Sequence, residues 1–184
     1  MKRIFTVRKG IPVPDGTAVF PFFDGLDKEI GLPWKSQEGF SIAFGKIAPH
    51  QASKIHVMPW VTQVTVVLRG LLEAWMKDPD SDSPYALKVV AQEAILTRPG
   101  TFLQLINPTD SILQVLYIVS PPFVFEADSK GKVLYNDALV FDEGWEELKR
   151  MNWFAPQDHP DRWPTAEARR AALDRMIEKK RQRS

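Results

Sequence analysis

The 184-residue chain contains no cysteine. That absence excludes disulfide scaffolds, thiolate zinc sites, iron–sulfur clusters and cysteine nucleophiles, and it fits a reducing cytoplasm. Histidine is nearly as scarce, with His50, His56 and His159 the three in the chain. A site built on three imidazoles would consume all of them, including His159 from a proline-rich C-terminal segment. Neither sign of charge dominates: 24 Lys and Arg against 23 Asp and Glu leave a formal +1. Nucleic-acid binding needs a concentrated basic patch, so no nucleic-acid partner is expected. Long apolar runs are missing too. Those near Val64–Leu68 and Ile112–Val119 fall far short of the ~20 residues that span a bilayer. The basic start Met1–Gly10 lacks the apolar run of a signal peptide, so a cytoplasmic protein without a membrane partner is expected. What is present, 44% hydrophobic and 26% charged residues, can bury one sizeable core.

Three zones differ in texture. Residues 1–45 are rich in Gly, Pro and Phe, with turn signals at Pro12-Val-Pro-Asp-Gly16 and Asp24-Gly25. They read as an extended arm with short strands, a structural wrapping rather than a catalytic element. Residues 46–125 are β-like: Val61–Leu68, Leu71–Lys77, Tyr85–Ala91, Ala94–Thr97, Thr101–Asn107 and Ile112–Val119 are short strands divided by turn sequences. Turns at this density indicate a sandwich or barrel. Residues 126–184 form a C-terminal extension with two helices. Helical apolar spacing runs through Glu143–Phe154, and Pro164-Thr165 opens a last helix carrying a net +4, read as a solvated face whose basic end complements the helix dipole.

Two spaced motifs carry a family resemblance. His56-Val57-Met58 is followed by four residues, Gln63, six residues and Gly70; farther on, Pro99-Gly100 precedes Leu103 and Asn107. The spacing resembles the two motifs of the cupin superfamily, the small jelly-roll barrels. The resemblance implies an all-β core, a double-stranded β-helix barrel with the N-terminal arm and C-terminal α-helices appended, and it implies a homodimer. In metal-binding cupins the corresponding positions hold two His, a Glu and a later His. Here they are His56, Met58, Gln63 and Leu103, of which His56 alone is a strong ligand. No cofactor is therefore expected. A non-family divalent metal held by His56, Gln63 and His50 is the residual alternative.

Strand alternation then predicts the pocket. Lys54, His56 and Met58 share a face, as do Gln63 and Thr65, and as do Leu103 and Leu105. His56 is the candidate proton-transfer group, or else a pocket histidine bonded to Gln63 or water. Lys54, Met58, Gln63, Thr65 and Leu103 are candidate contacts for a small-molecule ligand, with Lys54 or Arg98 meeting an anionic group. Trp75 and Tyr117, with Trp60, Phe44 and Phe102, could wall a planar ligand or simply fill core. Three functions follow: a metal-independent enzyme performing isomerisation, dehydration or cyclisation; a non-catalytic small-molecule sensor; or a divergent metal-dependent oxygenase.

Overall fold

Turn residues cut the chain into runs of two to eight residues, and antiparallel pairing of those runs builds the molecule. The structure is a computed structural model that describes residues 4–25, 39–130, 133–151, 169 and 171. With strands numbered in chain order, one sheet runs β1 (Ile11–Pro12), β2 (Ala18–Asp24), β3 (Ser41–Ile47), β10 (Leu113–Ser120), β5 (Thr62–Arg69) and β8 (Ala94–Thr97). The second runs β13 (Leu139–Phe141), β4 (Ile55–Val57), β9 (Phe102–Ile106), β6 (Leu71–Lys77) and β7 (Tyr85–Val90). A two-stranded ribbon, β11 (Phe125–Ala127) with β12 (Val133–Asn136), completes the β structure among the described residues. Neighbours distant in sequence, such as β10 between β3 and β5, show the expected jelly-roll winding.

The period-two pattern sets which side chains meet between the sheets. Val67, Leu72, Ala74, Met76, Leu103, Leu105, Leu113 and Val115 are buried together with Ile47 and Tyr117 in one cluster. The strand readings hold closely: β6 and β8 coincide with the expected segments, and β5, β7, β9 and β10 differ by a residue or two. The motif glycines sit where the chain must turn, Gly70 at φ +100° and Gly100 at φ +81°, which side chains with a Cβ rarely adopt. Asn107 is wholly buried; its Nδ2 donates to the carbonyls of Ile47, Ala48 and Ser111 at 3.0, 3.0 and 2.8 Å, while its Oδ1 accepts from the N–H and hydroxyl of Thr109. The second motif thus ends on a side chain that ties the loop after β3 to the loop between β9 and β10.

The outward apolar face of the second sheet is covered by the C-terminal region. Ile55, Val57 and Phe102 pack against Phe141, Leu148 and the half-buried Trp145. The helix in this region, α1 (Trp145–Leu148), occupies one turn of the expected Glu143–Phe154 span. Gly144 gives it no side-chain cap, and an i−3 bond from the Met151 N–H to the Leu148 carbonyl closes it. The Lys77 ammonium donates to the Met151 carbonyl at 2.9 Å, tying that end to β6. Of the expected last helix, Arg169 and Ala171 are helical; its other residues lie outside the described set. Among the described residues no helix is long and apolar enough to cross a membrane.

Candidate functional site

A cavity of about 350 Å³ opens between the sheets beneath the N-terminal strands. Its walls come from three parts of the chain: residues 8–24, the β3–β5 and β9–β10 strands, and the ribbon with its flanks from Phe123 to Val140. The arm is therefore more than a wrapping. Ile11, Val13, Val19 and Phe23 line the cavity, and Asp15 places a carboxylate beside His56.

The local sequence explains how Asp15 arrives there. Pro14-Asp15-Gly16 is a tight turn, closed by a 3.0 Å bond from the Gly16 N–H to the Val13 carbonyl. Asp15 Oδ1 accepts from the Thr17 N–H at 2.9 Å and the Thr17 hydroxyl at 2.8 Å, fixing its own side chain. The turn is pinned to the entry of β4 by the Lys54 N–H, which donates to the Asp15 carbonyl at 2.7 Å, and by Gln51 Nε2, which donates to the Gly16 carbonyl at 2.9 Å. These bonds leave Asp15 Oδ2 3.9 Å from His56 Nδ1, with side-chain exposures of 15% and 8%.

His56 Nδ1 also lies 3.1 Å from the Lys54 carbonyl. A carbonyl can only accept, so Nδ1 is the donor, and in the neutral ring Nε2 is the acceptor. Among the described residues nothing else bonds the ring, which borders the cavity. Tyr117 borders the same cavity from β10. Burial, with a smaller contribution from the Asp15 charge, pushes its phenol well above the ordinary tyrosine range, so it stands as a neutral O–H. Gln63 Nε2 donates to Thr65 Oγ1 at 3.0 Å.

The remaining sequence candidates divide by location. Met58 and Gln63 line the cavity beside His56 and Tyr117. Thr65 and Leu103 are fully buried but do not reach the cavity; Leu103 pairs with His56 across β4 and β9 and packs in the closed core. Lys54 points away to Asp142, at 2.5 Å, because it precedes the three residues that hold strand geometry in β4. Arg98 is held by Asp80 at 2.6 Å in the loop region, also away from the cavity. Trp75 is on the outer face of β6, its indole N–H on Glu73 at 2.7 Å and its ring 6.2 Å from Trp145. Of the expected aromatic wall, Tyr117 reaches the cavity; the other aromatic linings are Phe23, Phe123 and Phe125. Asp15 was hidden because nothing local joins residue 15 to residue 56. Its one sequence signal is the turn motif that holds it.

The positions where metal-binding relatives of this fold carry ligands do not fit a metal. Met58 is a thioether among Trp60, Val61, Val119 and Val124, Gln63 offers only a weakly ligating amide oxygen, and Leu103 has no donor atom. The alternative set does not converge: His50 is an exposed turn residue bonded to Asp110 at 2.8 Å and does not line the cavity. Among the described residues no three His, Asp or Glu side chains are grouped to hold an ion.

One cavity wall is fastened from outside by a buried ion pair. Asp137 lies between Asn136 and Ala138, which both face the cavity. Its Oδ2 accepts from the Val124 N–H at 2.8 Å and its Oδ1 from the Trp60 indole N–H at 3.1 Å. Arg169 Nη1 lies 2.9 Å from Oδ2, an ion-pair distance with its N–H off the hydrogen-bond line, while Nη2 donates to the Pro122 carbonyl at 2.9 Å. The two side chains are 3% and 0% exposed.

No protein-family model and no curated protein sequence matches the chain. Solved structures do. An oxalate oxidase in complex with glycolate is 20% identical with a TM-score of 0.50, the match covering 66% of this chain and 59% of that one. The cupin domain of Drosophila melanogaster CENP-C is 14% identical at a TM-score of 0.47, covering 64% of this chain and 74% of that one. A Klebsiella pneumoniae protein with a double-stranded β-helix domain is 14% identical at 0.45, covering 66% and 92%. Likeness at this identity speaks to architecture and leaves chemistry to the site. The chain has the fold of the cupin superfamily, two antiparallel sheets wound as a double-stranded β-helix.

Proposed function

We propose that the chain binds a small organic molecule in the 350 Å³ cavity and moves a proton on it without a metal. One observation carries this reading: an imidazole anchored through Nδ1, which leaves Nε2 as its second nitrogen, and a phenol held neutral border one mostly apolar cavity, with a carboxylate beside the imidazole. His56 Nε2 accepts a proton from the substrate, and the Lys54 carbonyl and Asp15 favour the resulting imidazolium. The Tyr117 hydroxyl donates a hydrogen bond, or its proton, to the oxygen on which negative charge develops. Return of a proton to a second position isomerises the substrate; loss of a leaving hydroxide with that proton dehydrates it. The likeness to an oxalate oxidase at 20% identity speaks to architecture alone, so the proposal rests on the site rather than on the fold.

A non-catalytic binding role is the second reading. It is favoured by a polar end satisfied from within: His56 Nδ1 bonds the Lys54 carbonyl and the Gln63 amide bonds Thr65. Incubation with a small-molecule extract in deuterium oxide, read by mass spectrometry, separates the two. Proton transfer incorporates solvent deuterium into particular metabolites, and His56→Gln removes that incorporation while leaving the circular dichroism spectrum unchanged. Incorporation that persists in His56→Gln sinks the assignment of His56. A bound metabolite recovered without deuterium favours the binding role.

A further inference from the structure

The cavity is unevenly charged. Among the described residues its lining includes one basic side chain, Arg8, and two carboxylates, Asp15 and Asp24. Arg8 is exposed, whereas Asp15 is largely buried at the end holding His56. Among the described residues, Lys54 is turned toward Asp142 and Lys46 lies over the Phe20 ring. We infer that the site takes an uncharged, largely apolar molecule bearing a hydroxyl or carbonyl group, and excludes carboxylates, sulfonates and phosphates of the same shape. This selectivity rests on reading the cavity as the ligand site.

Donor chemistry and electrostatics argue the same way. A buried anion needs a counter-charge or several free N–H donors. Around His56 most donors are already used: Nδ1 on the Lys54 carbonyl and one Gln63 amide N–H on Thr65, while the Thr17 N–H and hydroxyl serve Asp15 itself. The Tyr117 hydroxyl is a single donor, enough for a ligand oxygen but not for a charged group. A protonated His56 would offset one negative charge, yet the Asp15 carboxylate 3.9 Å away already stands opposite it. The walls add Val13, Val19, Met58, Leu105, Val119 and Phe123, which reward apolar surface. The volume equals that of about 12 water molecules at ~30 Å³ each, enough for a one- or two-ring compound.

A matched pair of fluorescent probes tests this. N-phenyl-1-naphthylamine is uncharged, and 1-anilinonaphthalene-8-sulfonate is the same skeleton with a sulfonate. Titrated into the full chain at low salt, the neutral probe is expected to bind about tenfold or more tightly, the size of one like-charge contact at effective dielectrics between ~20 and ~80. Asp15→Asn is expected to narrow the gap by improving sulfonate binding. Equal affinities, or tighter binding of the sulfonate, overturn the selectivity and leave the deuterium test of proton transfer standing. Failure of both probes to bind overturns the ligand-cavity reading beneath it.

Discussion

Replacing Arg169 by Met removes one partner of the buried ion pair while keeping most of the side-chain volume. The Asp137 carboxylate, 0% exposed, then stays buried with the neutral Val124 and Trp60 N–H donors but without the guanidinium. Losing one partner of a buried pair costs about 3–5 kcal/mol. For a domain of this size each kcal/mol moves the melting temperature by about 2–4 °C, so Arg169→Met should melt roughly 6–20 °C lower. Asp137→Ala should lose more, because it also orphans two buried donors at ~1–3 kcal/mol each. The double variant Arg169→Met with Asp137→Asn should recover part of the loss, since an amide oxygen still accepts and no charge is stranded. Calorimetry with urea titration at constant m-value measures all three. A loss below ~1 kcal/mol for Arg169→Met, the range of a solvated surface pair, refutes the reasoning.

Three further outcomes follow from the packing. Asn107→Asp turns a donor facing three carbonyls into a carboxylate facing them, and should lower stability by more than ~3 kcal/mol in urea unfolding. Gly45→Ala would place a Cβ 2.4 Å from Tyr117 Cε2, so it should cost ~1–3 kcal/mol and alter probe affinity by shifting the phenol. Burial, followed by the hydrogen bond to Asp78, raises the Tyr85 hydroxyl from 10.0 to about 12. An acid raised on folding stabilises the fold while protonated, so its contribution is complete below pH 10 and is lost as pH rises through about 12. Ultraviolet titration should show Tyr85 and Tyr117 ionising late, with Asp78→Asn bringing Tyr85 down.

Local features were legible and long-range ones were not. The limits of β6 are written in Gly70 before Leu71 and the Asp78-Pro79 loop after Lys77, and period-two alternation correctly turned Gln63, Thr65 and Val67 inward. His56 and Met58 were readable as lining residues because motif spacing fixes their register. Alternation failed at Lys54, where strand geometry had not begun, and at Trp75, where aromatic character suggested a wall but strand parity faces it outward. Asp15 and Arg169 escaped because their partners lie 41 and 32 residues away in sequence, as His56 and Asp137. Contacts at such separations are decided by topology, which no local pattern encodes.

The three-part cavity wall has a consequence for folding. Residues 8–24 and 123–140 must both have docked on the central strands before the pocket exists, so a ligand recognises the finished molecule rather than any half-wound intermediate. Bound ligand then stabilises the native state alone, by about 2.7 kcal/mol at 100 times its dissociation constant. Because the arm is made before the ribbon that completes the cavity wall, a ligand of this site would find its full cavity only once the ribbon has docked. A ligand of this site would therefore serve as a reporter of complete folding.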